Sequence, residues 1–217
     1  MAEFNEVAIK NADELDRKII ETLCQKKSFL VEAGAGAGKT HSLEKVVEWL
    51  QDNRGNEYKH NGKKVACITY TTAAVDVIKS RLPENSFISP STIHNFAWST
   101  IKQFQETLID ILSENELLPA ECEREDIWHV KYTLGSKYYD EDEKSIYLGH
   151  NDILKLFSLM LDNKKFRNIL SNQYPIILID EYQDSNKEIV NKLLEYFVSN
   201  SVGIQLGFFG DSWQTIH

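Results

Sequence analysis

The first stretch whose residue types suit a binding or catalytic role is a loop of small side chains, AGAGAGKT at residues 33–40. An apolar run precedes it and an amphipathic pattern follows it, which predicts a strand, a turn and a helix in that order. In such a loop successive backbone N–H groups can close around phosphates, and the helix N-terminus adds a favourable dipole. Lys39 is then placed to reach the β- and γ-phosphates, and the Thr40 hydroxyl to hold Mg²⁺. The rival interpretation is close packing of small residues, and the flanking elements favour phosphate binding.

A pair of carboxylates, Asp180 and Glu181, ends the apolar run PIILI. A carboxylate at the end of a buried strand can lie beside a phosphate loop, so Asp180 is a candidate ligand of Mg²⁺, through water. Glu181 can orient or deprotonate an attacking water. The alternative is that acidic residues merely favour a helix start. That explanation suits Asp184 and Ser185, but it does not account for two acids directly after an apolar run.

The elements that must position these residues alternate along the chain. Strands are predicted in SFLVEA, KKVACITY, NSFISP, PIILID and VGIQLGFFG. Helices are predicted in THSLEKVVEWLQDN, AAVDVIKSRL, STIHNFAWSTIKQF and SNKEIVNKLLEYFVSN, with Ser91 or Thr92 capping the third and Ser185 with Glu188 forming a capping box for the last. This alternation predicts an α/β fold with right-handed crossovers and a parallel sheet flanked by helices.

The alternation is interrupted between residues 100 and 172, where helical patterns dominate and no buried strand is evident. We therefore expect a helical insertion there, with the acidic stretch YYDEDEK as an exposed loop. The predicted α/β domain consists of residues 1–99 and 173–217, and the insertion of residues 100–172.

Composition restricts the class of protein. The hydrophobic share of 42% and the charged share of 26% are ordinary for a globular domain. No apolar run reaches the about 20 residues that cross a bilayer, and no signal peptide is evident. The three cysteines lack metal-ligand spacing. We expect a cytoplasmic protein with reduced thiols and no membrane partner. The net charge of −9 disfavours a protein whose whole surface binds nucleic acid, but it allows a local groove that binds it.

Together these stretches resemble the UvrD/Rep-type DNA helicases of superfamily 1. AGAGAGKT resembles the first motif of that family, including its initial Ala, and DEYQDS resembles the second. TYTTAAVDVIKSRL is similar to motif Ia, STIHNFA to motif Ib and GDSWQTIH to motif III. The resemblance implies a RecA-like P-loop NTPase domain, with the insertion at the position of the accessory 1B subdomain.

The resemblance also implies a role for each matching residue. ATP and Mg²⁺ are the expected cofactors, Lys39, Glu181 and Gln214 the catalytic residues, and Thr40 and Asp180 the metal ligands. The nucleotide-binding segment consists of Gly34, Ala35, Gly36, Ala37, Gly38, Lys39, Thr40 and His41. Gln214 is expected to sense the γ-phosphate and to relay its presence toward DNA.

Single-stranded DNA is the partner that the resemblance implies. Tyr70 stands where motif Ia stacks an aromatic ring on a base, and Thr92 and His94 fall in the motif Ib segment that meets the strand. By residue type alone, the favoured interpretation of Tyr70 is a core residue at a strand end, and that of His94 is a hydrogen-bonding residue at a helix start. The sequence departs from the family at Thr71–Thr72, where motif Ia has Asn-Lys, and in lacking a Gln ahead of the first motif.

In this family arginines of a second RecA-like domain complete the catalytic site, and the sequence stops at His217 within motif III. We therefore expect the chain to be the N-terminal part of an ATP-dependent DNA helicase that binds nucleotide but hydrolyses it slowly alone. Two alternatives stay open. One is a nucleotide-gated, helicase-like subunit that pairs with a nuclease or other protein of a repair or defence complex. The other is a P-loop ATPase that acts on no nucleic acid.

Overall fold

A computed structural model describes residues 2–34, 38–199 and 203–211. The strands are β1 (Phe29–Glu32), β2 (Val65–Thr69), β3 (Ile88–Thr92), β4 (His129–Tyr132), β5 (Tyr138–Asp140), β6 (Ser145–Leu148), β7 (Ile176–Asp180) and β8 (Gln205–Gly210). The helices are α1 (Ala2–Cys24), α2 (Lys39–His60), α3 (Thr72–Ser80), α4 (Ile93–Ile101), α5 (Gln105–Glu114), α6 (His150–Asp162), α7 (Lys164–Gln173) and α8 (Lys187–Leu193). The chain divides into two units, one of residues 1–92 and 171–217 and one of residues 93–170.

The first unit is built on a parallel sheet of five strands in the order β1-β8-β7-β2-β3. The strands β7 and β2 are buried at every residue. Continuous apolar runs of this kind are typical of a parallel sheet that helices cover on both faces. The predicted α/β fold is confirmed, and each of its five strands was predicted from the sequence.

Helix α2 follows the phosphate loop and packs its apolar side chains into the core. Leu43, Val46, Val47 and Leu50 recur at helical spacing and are all buried. Helix α1, which the patterns above do not predict, adds Ile19 and Leu23 to the same cluster. Helices α1 and α2 therefore share one buried cluster with residues of the sheet.

The second unit contains more than the predicted helices. Its helices α4 to α7 contribute to an aromatic and aliphatic core in which Phe157 packs edge-on against Phe96 and Phe166. A small mixed sheet in the order β4-β6-β5 accompanies them. The predicted helices of the insertion are present, but the region also contains three short strands that the sequence patterns did not indicate. These strands, HVKY, YYD and SIYL, have only three or four residues each, which is too short for a hydrophobic periodicity to develop.

Two local predictions near α8 are also corrected. The cap of α8 is Asn186 rather than Ser185, because the Asn186 side chain accepts hydrogen bonds from the backbone N–H groups of Glu188 and Ile189, at 3.0 and 3.2 Å. The helix was predicted to continue to residue 200, but it changes to a π-helical turn over Leu194–Ser199.

Candidate nucleotide-binding site

All five strands of the large sheet run in the same direction, so their carboxyl ends meet at one edge. Along this edge lie, in spatial order, Ala33 after β1, Asp211 after β8, Glu181 after β7, Tyr70 after β2 and Thr92 at the end of β3. In open parallel sheets ligands bind outside the carboxyl ends of the strands. The fold thus brings the small-residue loop and the acidic pair to the edge that such sites use.

The loop ends with Gly38, which takes a left-handed conformation at φ 84° and directly precedes α2. Glycine adopts this conformation without steric cost. Lys39 is buried, and its ammonium donates hydrogen bonds to the carbonyls of Ala33 at 2.8 Å and Gly34 at 3.4 Å. The lysine therefore lies over the start of the loop that precedes it.

The other predicted nucleotide residues lie on both sides of Lys39. Thr40 and His41 are exposed in the first turn of α2, and Gly34 is exposed where the chain leaves β1. Ala35, Gly36, Ala37 and Gln214 lie outside the described residues.

Asp180 is a buried carboxyl group at the end of β7. Burial, together with the neighbouring charge of Glu181, raises the pKa of Asp180 to about 6. The Glu181 N–H, 3.1 Å from Asp180 Oδ1, and the Lys39 ammonium act in the opposite direction. A cation that binds beside such a carboxylate stabilises its ionised form.

The donor set fits Mg²⁺ rather than a metal with an all-protein cage. Asp180 and Thr40 offer carboxylate and hydroxyl oxygens, which are the hard ligands that Mg²⁺ prefers. Within the described part of the chain, no group of three or more His, Cys, Asp and Glu side chains could hold a metal by itself. Mg²⁺ usually retains several waters and binds through one or two protein ligands together with phosphate oxygens.

Glu181 is held in an unusual backbone conformation with φ 47° and ψ 49°. A left-handed non-glycine residue is uncommon and persists only where its surroundings enforce it. A single 3-10 turn, Tyr182–Asp184, follows, and from it Gln183 Nε2 donates a hydrogen bond to Glu181 Oε2 at 2.6 Å. The Glu181 carboxylate is thus fixed by a neighbouring side chain.

Two residues at the end of β8, Gly210 and Asp211, also belong to this edge and were not among the site residues predicted from the sequence. Asp211 is buried, and its backbone N–H donates to Gln183 Oε1 at 3.1 Å. Gly210 packs so closely that a Cβ on it would lie 2.3 Å from Gln183 Oε1 and 2.4 Å from Tyr182 Cδ1. The available signal was the Gly-Asp pair directly after an apolar strand, which resembles the start of motif III.

The residues predicted to contact DNA do not lie together in one unit. Tyr70 is 62% exposed just after β2, and Thr92 is half-buried at the end of the neighbouring strand β3, where it pairs with Thr69. His94 belongs to the second unit, where its ring lies 4.3 Å from that of His150. Burial, and then the charge of His150, lowers the pKa of His94.

A cavity of about 690 Å³ lies at the opposite end of the large sheet. It is lined by residues that precede the strands, among them Ser28, Lys63 and Pro175, and by the aromatic side chains of Trp49 and Tyr58. No described residue of the phosphate loop and neither residue of the acidic pair lines this cavity, so the described part of the nucleotide site lies elsewhere.

Fold and site together define a P-loop α/β domain, and this class of domain binds nucleotides. A family model described as "AAA domain" matches residues 16–217. The chain belongs to this AAA-domain family, and it is a distant homologue of the superfamily 1 helicases.

Three relatives illustrate the likeness. The chain is 32% identical over 96 residues to Gabija protein GajB of Bacillus cereus, a match that covers 44% of this chain and 14% of that protein. It is 47% identical over 47 residues to RecBCD enzyme subunit RecB of Buchnera aphidicola, covering 21% and 4%. It is 23% identical over 260 residues to a probable DNA helicase II homolog of Mycoplasma capricolum, covering 93% and 34%.

The chain thus spans about a third or less of each of these three relatives. No helix among the described residues has both the length and the apolar character that a membrane crossing requires.

Proposed function

We propose that this chain is the ATP-binding part of an ATP-dependent DNA helicase or translocase that acts on single-stranded DNA. The order of segments along the carboxyl edge of the sheet carries the proposal. The phosphate loop, the end of β8, the acidic pair and the ends of β2 and β3 follow one another there. Because neighbouring strands are hydrogen-bonded, a change at bound phosphates can reach the segments proposed to meet DNA.

Nucleotide binding is proposed to centre on Lys39 and on the backbone of residues 34–41. The Lys39 ammonium donates to two loop carbonyls, Ala33 O and Gly34 O. The β- and γ-phosphates of ATP offer negatively charged acceptors, which attract the ammonium more strongly than neutral carbonyl oxygens do. Lys39 therefore exchanges carbonyl partners for phosphate oxygens when ATP binds.

Hydrolysis is proposed to depend on Glu181 as the group that orients and deprotonates the attacking water. Its carboxylate is half-exposed and fixed by Gln183. Thr40 and Asp180 would hold Mg²⁺, which when bound neutralises charge on the phosphates. Gln214 is proposed to sense the γ-phosphate.

Contact with single-stranded DNA is proposed for Tyr70, Thr92 and His94. The 62% exposure of Tyr70 supports a stacking role, because a ring that packs into the core could not meet a base. Stacking on an aromatic face contributes about 1–3 kcal/mol per base and does not depend on base identity. That property suits a motor that must move along any sequence.

The isolated chain is proposed to hydrolyse ATP slowly. Charge develops on the γ-phosphate during transfer, and arginines from a second RecA-like domain supply the compensating charge in the helicases that this chain resembles. Such arginines accelerate hydrolysis about 10³- to 10⁵-fold. Steady-state ATPase assays with and without single-stranded DNA test this, and robust DNA-stimulated turnover by the 217-residue chain would contradict it.

The binding experiment compares two lysines of the same helix. Lys39→Ala should weaken binding of a fluorescent ATP analogue with Mg²⁺ at least about 10-fold, because it removes a charged phosphate contact. Lys45→Ala is the matched control, since Lys45 is exposed on α2 and pairs with Glu48 at 3.4 Å. Equal affinities of the wild type and both variants would refute the assignment of the nucleotide site.

The DNA experiment uses Tyr70→Ala and an oligothymidine probe. Loss of one stacked base at about 1–3 kcal/mol corresponds to binding about 5- to 150-fold weaker. Tyr58→Phe is the control, because Tyr58 is a buried aromatic residue in the core of the same unit. Unchanged affinity of Tyr70→Ala would remove Tyr70 from the interface, and no single-strand binding by any form of the protein would favour an ATPase that acts on no nucleic acid.

A second candidate function is a nucleotide-gated subunit of a larger enzyme that contains a nuclease. The observation that favours it is the likeness to a protein named as a subunit of the RecBCD enzyme, together with the Thr71–Thr72 departure in motif Ia. Copurification from the native host distinguishes the two candidates. A stoichiometric nuclease in the purified complex would support the second candidate, and an active protein without partners would support the first.

A further inference from the structure

We propose that Gln183 is a positioning residue that ties the carboxylate of Glu181 to the end of strand β8. This inference rests on the proposed function, in which Glu181 activates the attacking water. The structure supports it through two contacts of one carboxamide. Gln183 Nε2 donates to Glu181 Oε2 at 2.6 Å, and Gln183 Oε1 accepts from the backbone N–H of Asp211 at 3.1 Å.

The chemistry of the two partners fixes the orientation of the carboxamide. An ionised carboxylate only accepts hydrogen bonds, and a backbone N–H only donates. A glutamine side chain satisfies both partners in a single orientation, with Nε2 toward Glu181 and Oε1 toward Asp211. Glutamate retains the acceptor for Asp211 but lacks the donor for Glu181, methionine lacks both, and asparagine is one methylene shorter.

Packing around Gln183 leaves little room for another arrangement. The missing side chain of Gly210 provides the space for Gln183 Oε1, since a Cβ there would lie only 2.3 Å from it. On the same turn, the Tyr182 hydroxyl donates to Glu32 Oε1 at 3.1 Å and the Tyr182 ring packs edge-on against Phe208. The turn that follows Glu181 is therefore attached to both β1 and β8.

The consequence is a mechanical link between two parts of the proposed site. Strand β8 leads into the segment that contains the proposed γ-phosphate sensor Gln214, which lies outside the described residues. Because Asp211 N–H holds one end of the Gln183 carboxamide, a displacement of the β8 end moves the donor that orients Glu181. Gln183 would thus align Glu181 when the end of β8 is in place and release it when that end moves.

The test measures turnover and nucleotide binding separately in Gln183→Met and Gln183→Glu. Turnover is measured in the longest natural form of the protein and, with protein in excess over ATP, in the 217-residue chain. We expect kcat to fall about 10- to 100-fold in both variants, since small misplacements of a reacting group cost up to about 100-fold. We expect the Kd for Mg²⁺ and a non-hydrolysable ATP analogue to change less than about threefold.

Tyr182→Phe is the matched control for disturbance of the turn. It removes the hydrogen bond to Glu32 on the neighbouring residue and leaves both contacts of Gln183 intact. We expect wild-type kcat in this variant. A purely structural role of Gln183 would instead lower the thermal stability of Gln183→Met and leave kcat unchanged, and that result would overturn the inference.

A double variant separates failure of this inference from failure of the proposed function. Because Gln183 acts through Glu181, adding Gln183→Met to Glu181→Gln should lower kcat no further than Glu181→Gln alone. If Glu181→Gln abolishes turnover and Gln183→Met does not lower it, the inference fails while the proposed function stands. If Glu181→Gln leaves turnover unchanged, the role of Glu181 is wrong and the inference falls with it.

NMR spectroscopy tests the hydrogen bond between Gln183 and Glu181 without a turnover assay. In ¹⁵N NMR spectra of this chain, the side-chain NH₂ of Gln183 should be shifted and protected from exchange, and Glu181→Ala should remove both effects. Unchanged spectra in Glu181→Ala would overturn the inference, whether or not the chain hydrolyses ATP.

Discussion

Replacing Gly210 by alanine tests the close packing at the end of β8. The new Cβ would lie 2.4 and 2.6 Å from Cδ1 and Cε1 of the Tyr182 ring and 2.3 Å from Gln183 Oε1. Carbon atoms in contact prefer separations of about 3.5 Å, so the overlap is about 1 Å. The ring cannot move freely because its hydroxyl bonds Glu32 and its edge contacts Phe208.

The cost follows from these contacts. Overpacking of this kind lowers the free energy of unfolding by about 1–3 kcal/mol. For a chain of this size each kcal/mol corresponds to about 2–4 °C, so Gly210→Ala should melt about 2–12 °C below the wild type. Chemical denaturation and a thermal melt of the same preparation provide the two readouts.

Gly55→Ala is the matched control. Gly55 lies inside helix α2, and its added Cβ would meet Phe87 Cε1 at an ordinary 3.6 Å. Alanine is favoured over glycine in a helix interior by about 0.5–1 kcal/mol, so this variant should be more stable than the wild type. If Gly210→Ala were as stable as the wild type while Gly55→Ala gained stability, the packing argument for the end of β8 would be refuted.

Two further predictions concern titratable groups. Burial, with the nearby charge of Asp180, raises the pKa of Cys67 to about 12. Iodoacetamide at pH 8 should therefore label the exposed Cys24 and leave Cys67 unlabelled until the protein unfolds. Peptide mass spectrometry measures the labelling of each cysteine. Burial and the charge of His150 lower the pKa of His94 in the folded protein. The unfolded protein therefore binds this proton more readily than the folded protein does. The free energy of unfolding should decrease as the pH falls from 7.5 to 5.5. His94→Phe should reduce this pH dependence in denaturation curves, and an identical dependence in the variant would contradict the assignment.

Much of the fold was predictable because its signals are local. The run PIILI marks a buried strand, and AGAGAGKT carries its small residues and its lysine within eight positions. The strand-loop-helix context and the acidic pair therefore needed no tertiary information. Helix α1 could also have been found, since Leu15, Ile19 and Leu23 recur every four residues and pack into or against the core cluster.

The remaining features depend on contacts between distant parts of the chain. Gln183 and Asp211 are 28 residues apart, and they meet because β7 and β8 are neighbours in the sheet. Strand order cannot be obtained from hydrophobic periodicity, which reports only which face of an element is buried. The prediction of Ser185 as the cap of α8 was wrong for a local reason, because Ser185 and Asn186 are adjacent and both residue types are good N-caps.

Because β8 lies between β1 and β7, its carboxyl end contacts both the start of the phosphate loop and the turn that follows Glu181. The Gly210 carbonyl accepts a hydrogen bond from the backbone N–H of Ala33 at 3.1 Å, where the phosphate loop begins. The next residue, Asp211, bonds Gln183 and through it Glu181. One short segment is therefore attached to the proposed phosphate site on one side and to the proposed catalytic carboxylate on the other. A displacement that phosphates impose on the loop would reach Glu181 through Gly210, Asp211 and the side chain of Gln183.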